Sequence, residues 1–109
     1  MILENRVAII TGARLGIGRA LALGFAGEGA HIVINDIQNE GASKEVIAQI
    51  RSKGRKALHA QGDVAQEEDV KRIASATLDT FGRIDILVNN AGLRTIVYLG
   101  VENCPVLDM

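Results

Sequence analysis

The sequence predicts an open α/β fold built on a parallel sheet, in the order βαβαβαβ. Three observations carry this. Four short runs suited to strands, 6–11, 31–36, 55–62 and 85–90, are separated by stretches with helical spacing of apolar residues. Alternation of this kind gives a parallel sheet with right-handed crossovers. The first run also passes through a glycine-rich turn, 11–18, directly into the first helical stretch.

Composition sets the bounds. At 109 residues the chain suffices for one domain. Hydrophobic residues make up 48% and aromatic residues only 3%, so the core must be aliphatic. The net charge is −1 and the basic residues are scattered. Nucleic acid is therefore not expected as a partner, because phosphate neutralisation needs a basic patch. No apolar run reaches the length of a membrane span. Residues 1–6 lack the charged start and long apolar region of a signal peptide. With a single cysteine, Cys104, no internal disulfide forms. A cytoplasmic protein with no membrane partner is the expectation.

The first strand, 6–11, is nearly all apolar, as befits a strand buried on both faces. The first helix, 17–28, places Ile17, Leu21 and Phe25 on one stripe expected to face the sheet. Between them lies a turn in which Gly12 makes the bend, Gly16 lets a phosphate approach the main chain, and Gly18 lets the helix pack close. A helix starting there offers free N–H groups and a positive dipole end to an anion.

The second strand, 31–36, ends in Asp36, a carboxylate 18 positions after Gly18. An acid there can accept hydrogen bonds from ribose hydroxyls; the alternative is a solvated loop aspartate. A 2′-phosphate within ~4 Å of it would cost a few kcal/mol at an effective dielectric of about 20. NAD is thus expected over NADP. Arg14, a basic residue in the glycine turn, acts against that preference.

The second helix, 41–53, carries Val46, Ile47 and Ile50 on one face. The third strand, 55–62, has weak apolar content in Ala57, Leu58 and Ala60, and Asp63 and Val64 follow its C-terminal end. Ligands of open α/β sheets bind outside that end. The third helix, 66–81, starts with Glu67, Glu68 and Asp69, which suit its dipole, and points Val70, Ile73, Ala74, Thr77 and Phe81 inward. The fourth strand, 85–90, leads into Ala91-Gly92. His31 and His59 lie in or beside strands with no ligand partners at metal spacing and read as structural; no metal site is expected.

Thr11, Gly12, Gly16, Ile17 and Gly18, then Gly62-Asp63-Val64, then Asn89-Asn90-Ala91-Gly92, resemble the T-G-x-x-x-G-I-G, D-V and N-N-A-G motifs of the short-chain dehydrogenase/reductase family. The resemblance covers about residues 3–93. It implies a Rossmann-type sheet, strand order 3-2-1-4, with the cofactor crevice at the switch point between strands one and four. It implies that Asp63 bonds the adenine, Val64 packs against its ring, and Asn90 touches the adenosine side. The full cofactor set is then Gly12, Arg14, Gly16, Ile17, Gly18, Asp36, Asp63, Val64 and Asn90. Asn89 would tie the central strands. Alternatives remain: Asp63 as a helix-start acid, a role compatible with the first, and the Asn pair as a simple strand-ending turn.

The family's reaction moves hydride between a nicotinamide and an alcohol or ketone, using a serine and a Tyr-x-x-x-Lys pair. Neither can be placed here. Tyr98 is the sole tyrosine and is followed four residues later by Glu102, whose charge would raise the phenol pKa. No catalytic residue is assigned, and the chain alone is expected to be inactive. It divides into 1–92, a partial dinucleotide-binding domain, and a divergent tail, 93–109, interrupted by Pro105. Residues 95–99 have β-branched, strand-like character. Too few residues precede them for a parallel crossover, which leaves an antiparallel edge or a loose segment. A naturally shortened product and a piece of a longer one both fit. Either way, a sheet face covered by one helix and an unpaired edge near Val88 are expected. Such surfaces favour homo-oligomers or association with a full-length homologue. A non-catalytic nucleotide-binding or regulatory short form is the rival to the enzyme portion.

Overall fold

The computed structural model describes residues 1–90 and the backbone of 95–98. The elements run β1 (Val7–Thr11), α1 (Gly16–Gly27), β2 (His31–Asp36), a short 3-10 turn (Glu40–Ser43), α2 (Lys44–Ser52), β3 (Ala57–Gln61), α3 (Glu67–Phe81), β4 (Ile86–Asn89) and β5 (Thr95–Tyr98). The sheet order is β3-β2-β1-β4-β5. The first four strands are parallel in the expected 3-2-1-4 order. β5 returns antiparallel on β4, pairing Asn89 with Thr95 and Ile86 with Tyr98.

That last pairing corrects the expected open edge. β4 is covered by β5 on its outer side, and Val88 is buried. An antiparallel return needs only a few residues of connection, so it succeeds where a parallel fifth strand could not. The readings made for Ala91 and Gly92, the side chain of Tyr98, Cys104, Pro105 and the rest of the tail lie outside the described residues.

Two aliphatic layers sandwich the sheet. On one face α1 and α2 pack on Ala8, Ile10, Ile32, Ile34, Ile86 and Val88, with Val46, Ile47 and Ile50 inward as expected. On the other face Ile73 of α3 meets Val7, Ile9, Val33 and Ala60. The α1 stripe differs from expectation. Its buried residues are Gly18, Ala22 and Ala26, while Ile17 is 73% exposed. The helix lies close enough to the sheet that only small residues fit at the contact, and Leu21 and Phe25 flank it partly buried. α3 buries only Ile73 and Thr77, and Val70 is 43% exposed. Among the described residues it is the one helix on its face, so its flanks meet solvent. The second helix opens as the 3-10 turn Glu40–Ser43, not as α-helix from Gly41.

His31 is structural, as read. Its ring stacks on Phe81, with centroids 5.7 Å apart. Its Nδ1 accepts the Lys56 N–H at 3.0 Å. Burial, then the charges of Arg55 and Lys56, hold the imidazole below its ordinary value of 6.5. A group depressed in the folded state contributes stability that is present above its unfolded pKa and lost as pH falls through the folded one. The urea midpoint is therefore expected to be lower at pH 5.5 than at pH 7.5, and His31→Gln to shrink that difference. Identical wild-type midpoints at the two pH values would rule the effect out.

Candidate functional site: the C-terminal rim of the sheet

The C-terminal ends of β1 to β4 gather the predicted residues at one rim. After β1 the chain turns through Gly12 and Gly16, whose φ values are 62° and 59°. Both lie in the left-handed region that glycine adopts without strain. The turn is held by the Gly12 N–H, which donates to Asn35 O at 2.8 Å. α1 begins without a side-chain cap at Leu15 and without an acid in its first turn. Its N-terminal N–H groups therefore have no carboxylate or hydroxyl of their own. A Cβ at Gly16 would meet nothing within 4 Å, so space lies open over the turn. A Cβ on Gly18 would run into the Gly12 carbonyl and the Asn90 side chain. Gly18 thus performs the close-packing role expected of it.

Asp36 stands at the tip of β2, beside this turn. One carboxylate oxygen accepts the Gln38 N–H at 2.9 Å. The other lies 3.5 Å from Arg14 Nε. The two residues expected from sequence to bear oppositely on cofactor choice are thus an ion pair, with Arg14 32% and Asp36 13% exposed.

At the end of β3, Asp63 accepts the Ala65 N–H at 2.9 Å, a turn leading into α3. Its own N–H donates to Asp69 at 2.8 Å. Asp69 also receives Arg72 at 2.9 Å. The Asp63 N–H bond is the main cause holding the Asp69 carboxyl below its usual range; burial opposes it, and the bond and charge of Arg72 add to it. Sequence reading grouped Asp69 with Glu67 and Glu68 as dipole acids and missed this tie. The available signal was its place at the third helical position, where an acid reaches back over a helix start. Ile37, Gly62, Asp63, Asp69 and Arg72 line an open cavity of about 610 Å³, and Ile37 is 66% exposed. Ile37 was not singled out from sequence, since one apolar residue past a strand carries no period.

β4 closes the rim against β1. The Thr11 hydroxyl accepts the Asn90 N–H at 2.8 Å and lies 3.3 Å from the Asn89 side-chain oxygen. The Asn90 side-chain amide lies 3.4 Å from Gly12 O. Both asparagines therefore tie β4 to the glycine turn. Buried Asn35, also missed, donates to Ala60 O and Gly62 O at 2.9 and 3.1 Å and holds β3 to β2. Gly12, Arg14, Gly16, Ile17, Gly18, Asp36 and Asn90 lie along the turn and the strands flanking it. Asp63 and Val64 lie at the far end, after β3. Among the described residues no group of His, Cys, Asp or Glu could hold a metal ion, and no helix is long and apolar enough to cross a membrane.

This arrangement has close counterparts. The family model for short chain dehydrogenase matches residues 6–105, running past residue 93 where the motif resemblance stops. The chain is 44% identical over 91 residues to a 3-oxoacyl-[acyl-carrier-protein] reductase of Synechocystis, covering 84% of this chain and 37% of the relative. It is 37% identical over 92 residues to an L-rhamnose 1-dehydrogenase (NAD(P)(+)) of Sphingomonas, covering 84% and 36%. The structure of a short chain dehydrogenase from Mycobacterium paratuberculosis bound to NAD superposes with a TM-score of 0.75 at 31% identity, covering 81% of this chain and 37% of that one. The chain thus spans little more than a third of the length of these relatives. Over that third, motif, strand order and sequence agree, and the chain belongs to the short-chain dehydrogenase family of oxidoreductases.

Proposed function

We propose that this chain is the dinucleotide-binding portion of a short-chain dehydrogenase and that its cofactor is NAD. One observation supports this above the others: the uncapped start of α1, reached through Gly12 and Gly16 at positive φ, faces open space beside the Asp36 carboxylate. The pyrophosphate would lie on the turn, where backbone N–H groups and the helix dipole meet it. Asp36 would accept the adenosine ribose hydroxyls. Asp63, Val64 and Asn90 would serve the adenosine side, with Ile37 as an added apolar neighbour. Ile17, exposed at the first turn of α1, would border the cofactor's other half. Bound NAD supplies hydride chemistry; the residues of this chain bind and orient it.

Oxidation of a secondary alcohol, or reduction of a ketone, is the reaction proposed for the whole enzyme. No tyrosine here has a lysine four residues on, so the chain alone is proposed to bind without turnover. On the sheet face that, among the described residues, only α3 covers, an apolar hollow of about 280 Å³ is lined by Ile9, Val64, Val70, Ile84 and Leu87. Further chain or a second subunit would pack there in the proposed assembly.

Calorimetric titration tests the cofactor. NAD is expected to bind at least ~10-fold more tightly than NADP, because a phosphate beside Asp36 meets a like charge only partly offset by Arg14. Asp36→Ala should reverse the order by releasing Arg14 towards the phosphate. Equal affinities, or no binding of either, would overturn the assignment.

A further inference from the structure

We propose that His59 and Gln61, two side chains on the edge strand β3, act as positioning residues that set the Asp36 carboxylate for the ribose. The inference rests on Asp36 being the ribose acceptor. The backbone just past Asp36 is held from β3 at three consecutive carbonyls. The Gly62 N–H donates to Asp36 O at 3.0 Å. Gln61 Nε2 donates to Ile37 O at 3.0 Å. His59 Nε2 lies 3.1 Å from Gln38 O. A carbonyl only accepts, so Nε2 carries the proton there. The loop then closes on itself, because the Gln38 N–H donates to Asp36 Oδ1 at 2.9 Å.

The geometry links β3 to the carboxylate. Gln61 fixes the Ile37 carbonyl, and the N–H of that same peptide unit, on Gln38, fixes one Asp36 oxygen, while His59 holds the next carbonyl along. The Gln38 bond directs Asp36 towards the turn and leaves its second oxygen on the Arg14 side. Without the β3 bonds the loop would keep its sequence but lose its orientation. An acceptor must be held close to its productive geometry before its ligand arrives. Gln61 also places Ile37, the apolar residue that follows Asp36 in the chain and lines one cavity with Asp63.

ADP-ribose titrated into the chain, with a thermal melt of each variant, tests this. His59→Leu is expected to weaken ADP-ribose binding by ~3- to 10-fold, the scale of one lost ordering hydrogen bond. The same change made on Asp36→Asn should weaken it no further, because the route through Asp36 is already broken. A merely structural role would instead lower affinity equally in both backgrounds, and that result overturns the proposal. Should His59→Leu fail to fold, Gln61→Leu carries the same cycle with the same expectation. Wild-type binding with no loss in either variant sinks the positioning role alone. No ADP-ribose binding by the wild-type chain sinks the cofactor reading and this inference together.

Discussion

Gly18→Val is expected to unfold the strand–turn–helix unit, lowering the thermal midpoint by roughly 15 °C or more. Its Cβ would press on the Gly12 carbonyl, lie 2.6 Å from Asn90 Nδ2, and lie 3.0 Å from Ala13 Cα. Two of these are backbone atoms of the turn itself. They cannot rotate away as a side chain could. Relief requires α1 to move off the sheet, which would open the contact made by Ala22 and Ala26. Overpacking of a tight core costs about 3 kcal/mol at its upper end, a large part of the stability of a small domain. Gly16→Ala makes the contrast. A Cβ at Gly16 meets no protein atom within 4 Å, and only the φ of 59° opposes it. That strain is about 1–2 kcal/mol. The fold should survive with a modestly lower midpoint, while NAD binding drops by roughly tenfold or more as the methyl enters the phosphate's place. A Gly18→Val protein that melts like the wild type, or a Gly16→Ala protein that binds NAD equally well, would contradict this division of roles.

The two glycines show why much of this site was legible in the sequence. Backbone demands leave few residue choices, so Gly12, Gly16 and Gly18 mark the turn by identity and spacing. Parallel pairing followed from alternation, and the order 3-2-1-4 from the family resemblance. Packing depth did not follow. Leu21 and Phe25 outweigh Ala22 and Ala26 in any apolar pattern, yet the closest helix–sheet contact selects for small size, which periodicity does not register. Polar ties were hidden for a different reason. Asn35, His59 and Asp85 act through backbone groups distant in sequence, and backbone partners leave no residue signature. The β5 return was one of two open alternatives, because a β-branched run favours strand character without showing that the strand pairs.

Asp85 is such a hidden tie, and its removal is the second large effect expected. It is only 2% exposed, at the start of β4. It accepts the Val7 N–H at 2.9 Å and both Arg83 Nε and Nη2 at 2.8 Å, with Arg6 Nη1 at 3.4 Å. The Asp85 N–H donates to Val7 O at 2.9 Å, so this one residue fastens the entrance of β1 to β4. Burial works to raise its carboxyl above the usual 3.8. The bonds from Arg83 and Val7, with the charges of Arg83 and Arg6, outweigh burial and hold it lower. Asp85→Ala leaves the Val7 N–H buried without its acceptor and two guanidinium groups without their anion. Losing one partner of a buried pair costs 3–5 kcal/mol; here Arg6 and Arg83 are 44% and 36% exposed, so water recovers part, and about 3 kcal/mol is expected. Asp85→Asn keeps an acceptor for Val7 and should cost about 1–2 kcal/mol. The sign with pH separates charge from packing. A depressed carboxyl contributes stability that is full above its unfolded value near 3.8 and lost as pH falls through the folded value. Urea midpoints for wild type and Asp85→Asn should therefore differ at pH 7 and converge towards pH 3. A constant gap across that range would mean that shape, not charge, secures this corner of the sheet.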